Sequence, residues 1–268
     1  MEKSVQITLG KMHYRISGSG FPVVLLHGLP FDGTLWNKQF PVLESGYRVV
    51  IPDLPGSGLS ELLVNDEQSL RVDEMADSVQ QLLQQEQIET CIMIGHSMGG
   101  YVALSFAERY PGMLRGLGLT HATAFADNDE RKAARDKNIA KIRERGANEF
   151  LKGFLPPLFG KSFSDQHSSS IESFVDSVRD YPGSSLISYF AALRERPDRT
   201  QVLQRAKVPV LFIIGTEDPA APISDLLKQV YLPAVSHLRI LEGSGHVGMW
   251  ESPQEFNTAL LRFVEACT

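Results

Sequence analysis

Cysteine is nearly missing from this chain of 268 residues: only Cys91 and Cys267 occur, too few for a disulfide framework and without the spacing of a metal site. Such usage fits a reducing compartment. Basic residues are also short, 26 Lys and Arg against 32 Asp and Glu for a net charge of −6, so no cation excess is available to neutralise a nucleic-acid backbone or an anionic membrane. No apolar run reaches the ~18 residues that a membrane-spanning helix needs. The first residues, MEKSVQITLGK, carry an acidic second position and no apolar signal core or small-residue cleavage site, which predicts a cytoplasmic location. GxxxxGKS/T, HExxH and cysteine and histidine clusters are absent as well, and no GxGxxG dinucleotide turn is expected after a strand. No cofactor and no metal are expected, and the partner is expected to be a small molecule, not nucleic acid or membrane.

What is present is an ordinary globular composition, 43% hydrophobic and 22% charged, at a length that suits one large domain or one carrying an insertion. Residues 4–9 and 12–17 largely alternate in polarity around Gly10, which predicts a hairpin at a sheet edge. Short β-branched runs follow at 21–26 (FPVVLL), 47–51 (YRVVI), 91–94 (CIMI) and 208–214 (VPVLFII), with weaker ones at 114–119 and 236–241. Near-continuous apolar runs of this length are what strands buried on both faces of a parallel sheet look like. Helical patterns lie between them. The clearest has Val72, Met75, Ala76, Val79, Leu82 and Leu83 on one stripe of a helix entered at Ser69. Alternating strand and helix predicts a doubly wound α/β fold, with any ligand at the carboxyl ends of the strands.

From residue 122 to 205 the alternation stops, and only helix-like segments with Phe, Ser and Pro punctuation remain. We expect a helical cap there, inserted into a core made of residues 1–121 and 206–268. Residues 127–145 carry mixed charge with sparse Ile and Ala, and read as a solvated helix face. The apolar stretch 150–159 (FLKGFLPPLF) either faces a pocket, with Phe154, Leu155 and Phe159 as candidate substrate contacts, or packs the cap onto the sheet.

The strongest local signal is GHSMGG at 95–100, between the strand run CIMI and the helical run YVALSFAERY. A serine on a tight strand-to-helix turn needs small residues two positions either side, because the backbone is strained and neighbouring elements come too close for a Cβ. Gly95 and Gly99 satisfy this, and Ser97 becomes the candidate nucleophile at a helix N-terminus, where amide dipoles favour developing negative charge. A serine hydroxyl needs a base to take its proton and a carboxylate to orient that base. His246 in GSGHVGMWESPQEF and Asp218 in GTEDPAAP fit those roles, with Glu217 and Asp225 as alternative acids.

With these motifs the chain resembles the α/β-hydrolase superfamily over nearly its whole length outside the cap. The resemblance also rests on His27 and Gly28 after the 21–26 run and on DLPGSGLS at 53–60, which is similar to the family's DxxGxGxS turn. It implies a mostly parallel eight-stranded sheet with helices on both faces. It also implies the order nucleophile Ser97, acid Asp218, base His246, and an oxyanion hole made by the backbone N–H groups of Leu29 and Met98. Serine instead of aspartate at 97 argues against the dehalogenase and epoxide hydrolase branches. His27, His96 and His121 are read as packing or hydrogen-bonding residues. The expected activity is hydrolysis of a small carboxylic ester or lactone through an acyl-enzyme. The alternatives are a perhydrolase or cofactor-free haloperoxidase-like reaction, suggested by HGLP at 27–30, a C–C bond hydrolysis, or a non-catalytic ligand sensor on the same fold.

Overall fold

The computed structural model describes residues 1–63 and 70–268 of the chain. All eight expected strand runs form strands: β1 (Glu2–Ile7), β2 (Gly10–Ser17), β3 (Pro22–Leu26), β4 (Arg48–Pro52), β5 (Cys91–His96), β6 (Leu114–Thr120), β7 (Val210–Gly215) and β8 (Ser236–Leu241). They make one sheet in the order β1-β2-β4-β3-β5-β6-β7-β8. The β1–β2 and β2–β4 pairs are antiparallel and the remaining pairs parallel. Patterning follows position in the sheet. In β2, Met12, Tyr14 and Ile16 are buried on one face, whereas β5 and β7 are buried along their whole length. The edge strand β8 is mostly exposed, which is why its sequence run is weak.

Helices cover both faces: α1 (Phe40–Glu44), α2 (Val72–Gln85) and α3 (Met98–Arg109) precede β6, and α10 (Ile223–Leu226), α11 (Gly248–Glu251) and α12 (Pro253–Cys267) follow β7. The apolar stripe expected of α2 is buried, and its first turn is fastened by the Arg71 N–H donating to Glu74 Oε2 at 2.8 Å. The entry expected at Ser69 lies outside the described residues. Between β6 and β7 the described chain contains no strand but α4 (Asp129–Arg145), α5 (Ala147–Phe154), α6 (Lys161–Gln166), α7 (Ser168–Ser177), α8 (Gly183–Glu195) and α9 (Thr200–Gln204). Tyr189 of α8 donates its hydroxyl to the Pro55 carbonyl at 2.6 Å, tying these helices to the loop after β4. Cys91 and Cys267 are free and buried.

The order of the sheet reverses at β3, which lies between β4 on one side and β5 on the other. At such a switch point the loops leaving adjacent strands part in opposite directions and leave a crevice at their carboxyl ends. Leu29 follows β3 and Ser97 follows β5, so the two sit on the lips of that crevice.

Candidate active site

Ser97 is the N-cap of α3 with φ 50° and ψ −114°, a backbone region that side chains other than glycine rarely occupy. The packing around it leaves no alternative. A Cβ at Gly95 would lie 2.2 Å from the Gly99 carbonyl oxygen, and one at Gly99 2.3 Å from that of Leu26. The turn is pinned by the Ser97 N–H, which donates to the Thr120 carbonyl at 3.0 Å. Its hydroxyl meets His246 Nε2 at 2.9 Å.

His246 follows β8 and Asp218 follows β7, and the structure brings them together: His246 Nδ1 lies 2.9 and 2.8 Å from the two Asp218 oxygens. An ionised carboxylate only accepts, so Nδ1 carries the proton and Nε2 is left to accept from Ser97. Of the alternative acids, Glu217 takes the Lys161 N–H and Asp225 pairs with Arg131 and Lys228. Asp218 Oδ1 also accepts from the Ala220 and Ala221 N–H groups, at 2.9 and 2.8 Å. Burial by itself would raise the Asp218 pKa, but the charge of His246 and the hydrogen bonds from His121 and His246 outweigh it and hold the carboxyl well below the usual carboxylate range.

His121 is the site residue that sequence reasoning left outside the catalytic group. Fully buried at the end of β6, it donates from Nδ1 to Asp218 Oδ2 at 2.9 Å, while its Nε2 accepts the Gly248 N–H at 3.3 Å. Its φ of 53° is the second strained non-glycine angle at a strand's carboxyl end. His121, Asp218 and His246 offer ligand atoms within 4.8 Å of one another, yet their facing atoms are already committed to the hydrogen bonds above. His96, also buried, donates from Nε2 to the His246 carbonyl at 2.8 Å, and burial, reinforced by His246 and His121, keeps its pKa well below the ordinary histidine value.

The expectation that no GxGxxG follows a strand needs correction, because 243–248, GSGHVG, has that spacing after β8. Its residues do not fit a pyrophosphate. Glu251 already accepts the Gly245 N–H at 2.9 Å and the Val247 N–H at 3.1 Å, and the helix that follows, α11, has four residues. The same carboxylate takes the Gly160 N–H at 2.8 Å, and the His246 N–H donates to the Leu158 carbonyl at 2.6 Å. The loop carrying His246 is therefore stitched to residues 158–160.

The loop after β3 is held by the 53–60 turn. Asp53 accepts the Gly33 N–H at 2.8 Å, and His27 Nε2 accepts the Leu54 N–H at 2.9 Å while its Nδ1 donates to the Gly28 carbonyl at 3.0 Å. Among the described residues neither the Leu29 nor the Met98 N–H has a hydrogen-bond acceptor. The Leu29–Pro30 peptide is cis.

Ser97, His246 and Leu29 open into one cavity of about 430 Å³, walled further by Tyr101, Phe154, Pro157, Leu158 and one face of α4. Phe154 is thus where the sequence pointed. Leu155 and Phe159 are not cavity walls: Leu155 is buried, and Phe159 is buried against Phe163 and Phe174, ring centroids 5.6 and 5.5 Å away. The prolines at 156 and 157 end the helical period, so the wall falls to Pro157 and Leu158 instead. Residues 127–145 are largely solvated as expected, with only Ile139 and Ile142 of α4 buried, but Arg131, Ala134, Arg135 and Asn138 of the same helix also line the cavity.

The alpha/beta hydrolase family profile matches residues 23–259, and the chain belongs to that family. It is 27% identical over 266 residues to the 2-hydroxy-6-oxo-6-phenylhexa-2,4-dienoate hydrolase of Comamonas testosteroni, covering 94% of this chain and 91% of that one. It is 28% identical over 265 residues to a putative carbamate hydrolase of Pantoea ananatis, with 95% and 93% covered. Among solved structures it is similar to a thermophilic esterase from Thermogutta terrifontis, with a TM-score of 0.92 and 27% identity over 100% of this chain and 99% of that one. Among the described residues no helix is long and apolar enough to cross a membrane.

Proposed function

We propose that this hydrolase cleaves a small carboxylic ester or lactone through an acyl-enzyme on Ser97. The observation that carries the reading is the unbroken hydrogen-bond chain from the Ser97 hydroxyl to His246 Nε2 and from His246 Nδ1 to Asp218, opening into a cavity of about 430 Å³. His246 takes the Ser97 proton as the hydroxyl oxygen attacks the carbonyl carbon, and Asp218 stabilises the imidazolium that results. The carbonyl oxygen, now anionic, is received by the Leu29 and Met98 N–H groups, each worth about 3 to 4 kcal/mol of barrier. His246 then returns the proton to the leaving oxygen. Water, deprotonated by the same histidine, releases the acid and restores Ser97.

At about 430 Å³ the cavity lies toward the lower end of the roughly 300–1,000 Å³ range of small-molecule sites, which suits a small substrate. In this reading residues 122–205 form a cap over the site, and Phe154, Pro157 and Leu158 contact the substrate. The esterase from Thermogutta terrifontis supports an oxygen ester. The Comamonas testosteroni relative supports a second reading, in which the same three side chains hydrolyse a dienoate ketone. Intact mass after incubation with a small fluorophosphonate tests the common core of both: one phosphonyl adduct in the native chain and none in Ser97→Ala is expected. Equal labelling of the two would remove Ser97 as the nucleophile. Esters, lactones and dienoates assayed side by side then separate the readings.

A further inference from the structure

Beside apolar Phe154 and Leu158, the cavity is lined by charged side chains of one sign only. Among the described residues that line it none is Asp or Glu, although acidic residues outnumber basic ones in the chain as a whole. Arg131, Arg135 and Asn138 reach it from successive turns of α4, the i, i+4, i+7 spacing that places three side chains on one helix face.

Both guanidiniums have partners, but neither is used up. Arg131 Nη2 lies 3.1 Å from Asp225 Oδ2, and Arg135 Nε 3.1 Å from Asp127 Oδ2, one contact each from a group with five donors. Each of those carboxylates is also shared with a second cation. Asp127, with no exposed side-chain surface, pairs with Arg196 at 2.8 Å as well as with Arg135, and Asp225 pairs with Lys228 at 2.8 Å as well as with Arg131. Two carboxylates thus serve four cations, and of these charged groups only Arg131 and Arg135 line the cavity. Asn138 adds an amide donor on the same face.

We propose that the substrate carries a free carboxylate away from the bond that is cut, and that Arg131 and Arg135 receive it. The inference rests on the ester or lactone reading above. The substrate class is then a monoanionic ester or lactone, its carboxylate on the arginine face and its apolar part against Phe154, Pro157 and Leu158. Arginine forks pair with planar carboxylates through two N–H groups, and in a partly desolvated cavity such charge-assisted bonds discriminate more strongly than apolar contact does.

A matched pair of substrates reads this directly: 4-nitrophenyl hexanoate and the mono-4-nitrophenyl ester of adipate, which differ only in a terminal methyl against a terminal carboxylate. The readout is the ratio of their kcat/KM values. Arg131→Gln and Arg135→Gln are each expected to lower the adipate-to-hexanoate ratio about tenfold, chiefly through KM, the loss of one charge-assisted pair. Arg131→Lys, which keeps the charge but not the fork, is expected to recover part of it. A ratio that neither glutamine variant moves overturns the proposal. Should Arg135→Gln fail to fold because Asp127 is left buried beside Arg196 alone, Arg131→Gln, whose partner is 39% exposed, decides. If neither ester turns over and no phosphonyl adduct forms, the hydrolase reading fails separately. Calorimetric binding of monomethyl adipate against methyl hexanoate, neither of which is then turned over, tests the carboxylate site alone: adipate monoester binding weakened by Arg131→Gln upholds it, and equal binding of the two overturns it.

Discussion

Gly99→Ala turns the geometry of the serine turn into a number. Gly99 is the second residue of α3, where alanine would ordinarily gain about 1 kcal/mol of helix propensity over glycine. Here the new Cβ would stand 2.3 Å from the Leu26 carbonyl oxygen and 2.6 Å from that of His27. Both are backbone atoms and cannot rotate aside. Restoring an ordinary 3.4 Å contact requires α3 to withdraw from the end of β3 by about 1.1 Å. The overpacking costs about 1 to 3 kcal/mol, which after the propensity gain leaves a net loss of up to about 2 kcal/mol, and Tm should fall by roughly 2 to 4 °C per net kcal/mol lost. The same shift separates Ser97 from Leu29. A displacement on the order of 1 Å typically costs about a hundredfold in rate, so kcat/KM for an aryl ester should drop by that order. Gly112→Ala is the control, since a Cβ there meets nothing within 4 Å. Urea denaturation and ester kinetics on the three proteins read both effects. Native-like stability and turnover in Gly99→Ala would refute the claim that close approach, and not sequence habit, demands glycine at 99.

His121→Leu removes one of the donors on Asp218 and leaves the Gly248 N–H without its acceptor, so a loss of about 2 to 4 kcal/mol is expected in urea denaturation. Activity should fall far less than the roughly ten-thousandfold expected of Asp218→Asn, because Ala220 and Ala221 still hold the carboxylate. The folded-state pKa of Asp218 lies below its unfolded value, so the stability it contributes is fully present above about pH 4 and is lost as pH falls toward the folded value. The stability gap between native chain and Asp218→Asn should therefore narrow between about pH 4 and pH 2; a gap independent of pH would contradict the pairing. Burial pushes the Cys91 thiol up to about 12 and that of Cys267 up to about 11, so a disulfide reagent at pH 8 should label neither until the chain is unfolded.

Much of this molecule can be read from its residues, for identifiable reasons. A strand buried on both faces must be apolar at nearly every position, which made β3, β5 and β7 visible; the serine turn was visible because close approach restricts 95 and 99 to glycine. His121 was hidden because its partner lies 97 positions away and no spacing rule joins the end of β6 to the loop after β7. The cavity walls were hidden for a different reason. Hydrophobicity says that 150–159 is buried but not which way a residue points once prolines break the period. It also cannot show that a largely solvated helix such as α4 lends a few of its side chains to a cavity wall.

The stitching of residues 158–160 to the His246 loop implies that the helices between β6 and β7 help to set the proposed base and do not simply lie over the cavity. Glu251 is the joint, since one carboxylate accepts the N–H groups of Gly160, Gly245 and Val247. In Glu251→Gln the acceptor that remains cannot serve all three, and hydrogen bonds to a charged group are worth about 1.5 to 3 kcal/mol. If the joint positions His246, the variant loses kcat on a substrate small enough to avoid the 150–159 walls, such as 4-nitrophenyl acetate, as strongly as on a larger ester. If those helices merely cover the site, only the larger ester suffers, and the loss appears in KM.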